Sequence, residues 1–127
     1  MLHEAITNKI IRGFYNVYNT LGFGFLEKVY ERALFHELTS MGLRVEKQKP
    51  IKVKYKGNEV GDYFADLIVE DSVIVELKAA EGLVEEHELQ LINYLKATNI
   101  EVGLLLNFGR SATIKRKIFN NELKNNP

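Results

Sequence analysis

Apolar residues at the start of the chain recur every three or four positions, which predicts two consecutive helices. The first helix is expected over residues 4–20 and the second from about Phe25 to Met41. Gly22-Phe23-Gly24 interrupts the pattern between them, and Gly42 stands where a glycine commonly ends a helix. The apolar positions of the first helix are Ile6, Ile10, Phe14, Val17 and Leu21.

After Pro50 the pattern changes to a period of two, which predicts strands. Three apolar residues alternate with three lysines, as in a strand with one solvated face: Ile51, Lys52, Val53, Lys54, Tyr55 and Lys56. Pro50 favours an edge position or the first residue of this strand. Further strands are expected over residues 59–69 and 72–79. The run Val73-Ile74-Val75 is apolar on both faces, so the third strand is predicted to be central.

Helical spacing returns over residues 86–97, and a continuous apolar run at 102–106 predicts a buried strand. Residues 111–122 are expected to form a short basic helix, and residues 120–127 a fraying tail. The resulting order predicts an α/β fold with a mixed, α+β-like sheet of four strands flanked by helices. The fourth strand should run parallel to the third, because a helix connects them.

Composition limits the class of protein. The 127 residues fit one domain, taken as residues 1–127. The absence of cysteine excludes a disulfide scaffold, a thiolate zinc site and a cysteine nucleophile. No apolar run approaches a membrane span. The start, Met1-Leu2-His3-Glu4, lacks the features of a signal peptide, so a cytoplasmic location is expected.

Charge is balanced overall but unevenly distributed. Lys and Arg number 17 and Asp and Glu number 17, so the formal net charge is zero. The segment from Arg44 to Lys56 contains six basic residues and a single acid, whereas residues 81–88 contain four acids and no Lys or Arg. This segregation indicates a dipolar surface, although ordinary solvated edges explain each cluster equally well when it is taken alone.

Two charged residues interrupt the predicted central strand. Glu76 and Lys78 are two positions apart and therefore share a face. Asp66, in the preceding strand, lies directly opposite Glu76 only if the hairpin loop has an odd length, most simply Glu70-Asp71-Ser72. A two-residue loop would turn Asp66 to the other face. A shared site for the two acids therefore needs the odd loop or a bulge.

Two carboxylates and a lysine on one face of a sheet have a chemical rationale. The acids repel one another unless a divalent cation lies between them, and oxygen ligands suit Mg²⁺ or Mn²⁺. Such an ion can polarise a phosphoryl oxygen and activate water, and a lysine can neutralise charge that develops on the phosphate. The alternatives are a buried Glu–Lys ion pair, or a strand end at which both side chains reach solvent.

These residues resemble a known family. Asp66, nine residues, then Glu76-Leu77-Lys78 is similar to the D-x(n)-E-x-K signature of the PD-(D/E)XK nuclease superfamily, although Ala65 stands where its name has proline. Gly24, Glu27 and Tyr30 match the G-x-x-E-x-x-Y motif of the GxxExxY family within it. The resemblance covers about residues 6–108 and implies a restriction-endonuclease-like αβββαβ core.

The resemblance also implies roles for individual residues. Asp66, Glu76 and the Leu77 carbonyl would bind the metal, Lys78 would be the catalytic lysine, and Glu27 would add a carboxylate from the first core helix. Gln90 and Tyr94 resemble a Q-x-x-x-Y motif. The two residues share a helix face, which would be directed toward nucleic acid or toward the metal site. Tyr30 is a further groove candidate or a core residue. Glu31 is expected on a solvated face.

The sequence supports two alternative functions. The first is a Mg²⁺- or Mn²⁺-dependent nuclease that hydrolyses phosphodiester bonds of nucleic acid, with DNA preferred over RNA. The second is a catalytically silent nuclease-fold module that binds nucleic acid or a partner protein through Lys52 and Lys54. A homodimer is a further expectation, because a minimal nuclease core offers little area to grip a duplex.

Overall fold

A computed structural model of the chain describes residues 1–124 and contains three helices and five strands within that range. The helices are α1 (Glu4–Leu21), α2 (Glu27–Ser40) and α3 (Glu85–Lys96). The strands are β1 (Val45–Tyr55), β2 (Asn58–Val69), β3 (Val73–Lys78), β4 (Val102–Phe108) and β5 (Ala112–Ile118). A short 3₁₀ turn, Asn121–Leu123, follows β5.

The strands form one mixed sheet in the order β1-β2-β3-β4-β5. β3 and β4 are parallel and are connected through α3, whereas all other neighbours are antiparallel. β3 is central and β1, which contains Pro50, is an edge strand, as the sequence predicts. The mixed α/β, restriction-endonuclease-like fold is therefore confirmed.

The sheet separates two apolar clusters. Residues of α1 and α2 pack on one face, where Phe14, Tyr30 and Phe108 form the aromatic centre. The other face packs against α3 through Leu91 and Leu95. β4 is buried along its whole length because both faces of the sheet are covered at that strand. Within residues 1–124, no helix has the length and hydropathy needed to cross a bilayer.

The predicted helix over residues 111–122 is wrong, and the sheet has five strands instead of four. Residues 112–118 form β5, which pairs with β4 from Val102↔Ile118 to Phe108↔Ala112. Without β5, the fully buried β4 would present its unpaired backbone groups at an edge of the sheet. Pairing satisfies those groups, and the segment's alternation of apolar Ile114 with Thr113 and Lys115 suits a strand as well as a helix.

The segment after β5 contacts the chain that follows α3 through Lys124. The Lys124 ammonium donates hydrogen bonds to the carbonyl oxygens of Thr98 (2.9 Å) and Ile100 (2.8 Å), just beyond the end of α3. Desolvation lowers the pKa of Lys124. The fraying of residues 120–124 stays a prediction, and its remainder, residues 125–127, lies outside the described part of the chain.

Candidate functional site

The hairpin between β2 and β3 has the loop length that the sequence argument requires. Val69 pairs with Val73, so the loop consists of Glu70, Asp71 and Ser72. Glu70 and Asp71 both have left-handed φ angles, of +54° and +51°, which close this tight turn. The register continues through Leu67↔Val75, which brings residues 66 and 76 opposite one another.

The ladder between β2 and β3 ends at the two predicted carboxylates. Beyond Leu67↔Val75, β3 continues alongside β4 while β2 continues with β1. Side chains replace the missing backbone hydrogen bonds: the Asp66 amide donates to Glu76 Oε1 (3.1 Å), and the Leu77 amide donates to Asp66 Oδ2 (2.9 Å). We refer to this point, defined by Asp66, Glu76 and Leu77, as the fork.

The alternation of faces along β2 changes phase at Asp66. Leu67 belongs to the cluster beneath α1 and α2, whereas Ala65, two residues earlier, belongs to the cluster beneath α3. An unbroken strand would place both on one face. In the register of β1 with β2, Gln48 lies opposite Asp66, and its left-handed φ of +52° marks the same irregularity in β1. Asp66 is therefore approached by side chains from both faces of the sheet.

Glu76 is the most strongly perturbed acid of the fork. Its side chain is buried, with 4% of the residue exposed. Burial, the charge of Asp66 and a side-chain hydrogen bond with Asp66 together raise the pKa of Glu76 to about 9, although the hydrogen bond from the Asp66 amide and the charge of Lys78 oppose the shift. A carboxyl group that stays protonated at neutral pH beside a second acid is a group that a cation would stabilise in its ionised form.

Glu27 and Lys78 flank the fork. Glu27 is the first residue of α2, and Lys78 is the last residue of β3 and is half-buried. Partial desolvation raises the pKa of Glu27, the ammonium of Lys78 lowers it, and the nearby carboxylates of Asp66 and Glu31 raise it again. The structure thus brings all four predicted catalytic residues into one electrostatic neighbourhood.

A small groove lies between the start of α2 and the fork. We call it the α2 groove; it has a volume of about 430 Å³ and is lined by Glu27, Glu31, Gln48 and Asp66 together with Leu26 and Lys28. Glu31 is buried and accepts hydrogen bonds from Lys28 Nζ (2.8 Å) and from the Gln48 side-chain amide. The same Gln48 amide lies 3.4 Å from Asp66 Oδ1.

Sequence reasoning missed Gln48 and placed Glu31 wrongly on a solvated face. A signal for Glu31 exists, because it precedes the buried Leu34 and Leu38 by three and seven positions and therefore shares their helix stripe. No comparable signal exists for Gln48, since its position depends on the pairing of β1 with β2.

The structure places Tyr30 in the core and removes it from the groove candidates. Its ring is fully buried and stacks on Phe108 with centroids 4.3 Å apart. Its hydroxyl donates a hydrogen bond to the Gly22 carbonyl (2.6 Å) and accepts one from the Phe25 amide (3.2 Å). Tyr30 therefore holds the loop that precedes α2 and positions Glu27 at the start of that helix.

We expect Tyr30→Phe to destabilise the protein by about 0.5–1.5 kcal/mol, because the part-buried hydrogen bonds to the Gly22 carbonyl and from the Phe25 amide are lost. Urea unfolding monitored by circular dichroism measures this change. Tyr15→Phe, on an exposed residue of α1, is the matched control and should stay within about 0.5 kcal/mol of wild type. Equal midpoints for the two variants would contradict the positioning role of the hydroxyl.

A second, larger groove lies on the opposite side of the sheet from α1 and α2. We call it the α3 groove; it has a volume of about 1030 Å³ and runs between the β1–β2 hairpin, α3 and the segment after β5. Its lining includes Lys52, Lys54, Tyr63, Gln90, Tyr94 and Lys96. The structure thus brings four predicted groove residues, Lys52, Lys54, Gln90 and Tyr94, to one surface.

Tyr94 connects the α3 groove to the fork. Its side chain is buried, and its ring centroid lies 5.8 Å from that of Tyr63. Desolvation raises the pKa of Tyr94 to about 12, and the charges of Glu76 and Asp66 contribute to the rise. The inner end of this groove therefore lies within the electric field of the fork.

Asn107 holds the chain where it leaves β3, and sequence reasoning did not single it out. The residue is buried and pairs with Lys78 across the parallel strands. Its side-chain oxygen accepts a hydrogen bond from the Ala80 amide (3.0 Å), and its amide group donates one to the Ala80 carbonyl (2.9 Å). These two bonds determine the direction in which the chain continues after Lys78.

The fork offers oxygen donors of the kind that Mg²⁺ and Mn²⁺ prefer. Among residues 1–124, no three His, Cys, Asp or Glu side chains group closely enough to form a metal cage, so Glu27 does not complete one with Asp66 and Glu76. Mg²⁺ commonly binds through one or two carboxylates and keeps several waters. The pair Asp66 and Glu76 fits that mode of binding.

Comparison with known proteins adds one finding. A family model described as the PD-(D/E)XK nuclease superfamily matches residues 4–118, which span every helix and strand from α1 to β5. No curated protein and no solved structure matches the chain.

Proposed function

Because the chain belongs to the PD-(D/E)XK nuclease superfamily, we propose that it is a metal-dependent nuclease that hydrolyses phosphodiester bonds of nucleic acid. The main support for the proposal is the meeting of the two acids at the fork, where the Asp66 amide donates a hydrogen bond to Glu76 and the Leu77 amide donates one to the Asp66 carboxylate. Lys78 lies two residues beyond Glu76 on β3. Gly24, Glu27 and Tyr30 support a finer assignment to the GxxExxY family.

Asp66 and Glu76 would hold Mg²⁺ or Mn²⁺, and the Leu77 carbonyl is a further candidate ligand. The ion, when bound, supplies Lewis-acid activation of a phosphoryl oxygen and of a water. Lys78 stabilises the negative charge that develops on the phosphate, since its ammonium is close enough to lower the pKa of both Glu27 and Glu76. Glu27 would accept a hydrogen bond from the attacking water.

A specific observation favours a second candidate function. Each fork carboxylate already accepts a hydrogen bond from a backbone amide that has lost its strand partner. In this second function, the two acids serve only to replace the missing backbone hydrogen bonds at the fork. The protein is then a catalytically silent module that binds nucleic acid or a partner protein. Cleavage of single-stranded, double-stranded and branched DNA and RNA in Mg²⁺, Mn²⁺ or EDTA distinguishes the two functions.

Metal binding is testable without activity. We expect Mn²⁺ at about 100 times its Kd to stabilise the folded protein by about 2.7 kcal/mol, which should raise the melting temperature by several degrees. Asp66→Asn should abolish the rise because it removes a ligand charge. The matched control is Asp62→Asn, which alters an exposed carboxylate of the same strand that pairs with Lys52. An undiminished rise in Asp66→Asn would refute the site.

A further inference from the structure

The α3 groove exposes apolar surface that folding has not buried. Tyr63 is 48% exposed although its ring lines the groove, and Leu89 and Leu123 are also exposed there. The side chain of Phe119 lines the same surface, with Lys96 Nζ 5.5 Å from its ring centroid. Concave apolar surface open to solvent indicates a binding site.

The side chains that line the α3 groove carry a net positive charge, although the formal net charge of the chain is zero. Four lysines line it (Lys52, Lys54, Lys96 and Lys124) against one acid, Glu86. Lys52 is partly neutralised by Asp62 at 3.1 Å, and Lys124 bonds to backbone carbonyls. Lys54 and Lys96 form no ion pair within residues 1–124. The charge available for phosphates is thus small.

A groove with aromatic rings and few lysines is better suited to bind the unpaired bases of a single strand than to bind a duplex. Base faces are free for stacking only when the strand is single, and such stacking does not depend on sequence. A duplex hides its base faces and is held mainly through its phosphates, so its affinity depends on how many Lys and Arg side chains contact them. In the described part of the chain, the groove offers two lysines without an ion pair for that purpose, Lys54 and Lys96.

We propose that the α3 groove binds a single polynucleotide strand, an inference that rests on the proposed function. A base of this strand stacks on Tyr63, and the backbone of the strand runs along Lys54 and Lys96 toward the fork. The substrate is therefore single-stranded nucleic acid. Neither kind of contact reads the 2′-hydroxyl, so single strands of DNA and RNA are expected to bind similarly.

Fluorescence anisotropy in EDTA measures this binding without cleavage. Fluorescein-labelled oligo-dT of 15 nucleotides should bind at least about tenfold more tightly than a duplex of equal length, and oligo-rU should lie within about threefold of oligo-dT. Tyr63→Ala should weaken single-strand binding by about 5- to 100-fold, the range that one base–aromatic stack supplies. Tyr63→Phe keeps the ring and should bind like wild type.

Matched variants on the same hairpin separate the groove from the general surface. Tyr55→Ala changes an exposed tyrosine outside the groove and should leave the affinity unchanged. Lys54→Ala should reduce the slope of log affinity against log salt by about 0.7, whereas Lys56→Ala, at the hairpin turn, should not. Equal affinity for strand and duplex, equal effects of Tyr63→Ala and Tyr55→Ala, or a tenfold preference for one sugar would overturn the proposal.

The failures of the two proposals are distinguishable. A protein that hydrolyses bis(p-nitrophenyl) phosphate with Mn²⁺ but binds strand and duplex equally would overturn the groove assignment alone. A protein that binds single strands in EDTA but cleaves neither nucleic acid nor this small diester would overturn the nuclease function and leave the groove assignment standing.

Discussion

Lys78→Ala is expected to reduce the rate of phosphodiester cleavage by about 10²–10³-fold while changing Mn²⁺ affinity little at pH 8. Lys78 is close enough to Glu27 and Glu76 to lower the pKa of both, so its ammonium lies beside the reacting phosphate in the proposed mechanism. It stabilises charge that is largest in the transition state. Its removal should therefore appear in kcat and not in binding of the metal.

Single-turnover cleavage of a labelled oligonucleotide and isothermal titration with Mn²⁺ measure the two effects separately. Lys9→Ala, on an exposed residue of α1 far from the fork in sequence, is the control and should cleave at the wild-type rate. A Lys78→Ala protein that cleaves normally would show that the lysine has no part in catalysis. If Lys78→Ala lost both Mn²⁺ binding and cleavage, Lys78 would instead be required for the integrity of the metal site.

Glu76→Gln is expected to change how the stability of the metal-free protein depends on pH. The pKa of Glu76 is about 9 in the folded protein against an ordinary value of 4.5. Between these values the folded state retains a proton that the unfolded state has lost, so rising pH favours unfolding. The stability from this proton is complete below about pH 4.5 and is lost as pH rises through the folded pKa, at a slope of up to about 1.4 kcal/mol per pH unit.

Urea unfolding in EDTA at pH 5, 6, 7 and 8 tests this expectation. The free energy of unfolding of wild type should fall relative to that of Glu76→Gln as pH rises, because glutamine cannot titrate. Glu81→Gln, at an exposed acid after β3, should follow the wild-type curve. Mn²⁺ should flatten the wild-type slope because it stabilises the ionised carboxylate. Parallel curves for wild type and Glu76→Gln in EDTA would contradict the raised pKa.

The pairing of the two fork acids was predictable because it depends on residues close together in the chain. A hairpin's register follows from its loop, and the parity of positions 66 and 76 requires the odd loop that Glu70, Asp71 and Ser72 form. The helices around Ile10 and Leu34 follow in the same way from local periodicity. The family resemblance adds to this, because its signature consists of the same short-range spacings.

By itself, then, the sequence determined the order of the elements up to β4 and the superfamily. It also showed that Asp66 meets Glu76 only through an odd loop or a bulge, and the structure has the odd loop. Only the tertiary structure decided that residues 112–118 form a strand and that the Gln48 side chain approaches Asp66. The physical reason is that each of these depends on a distant partner: the open edge of the sheet at β4, and the irregularity shared by β1 and β2. Local periodicity carries no record of such partners, because the free energy that selects them is gained only when the sheet and its helices pack together.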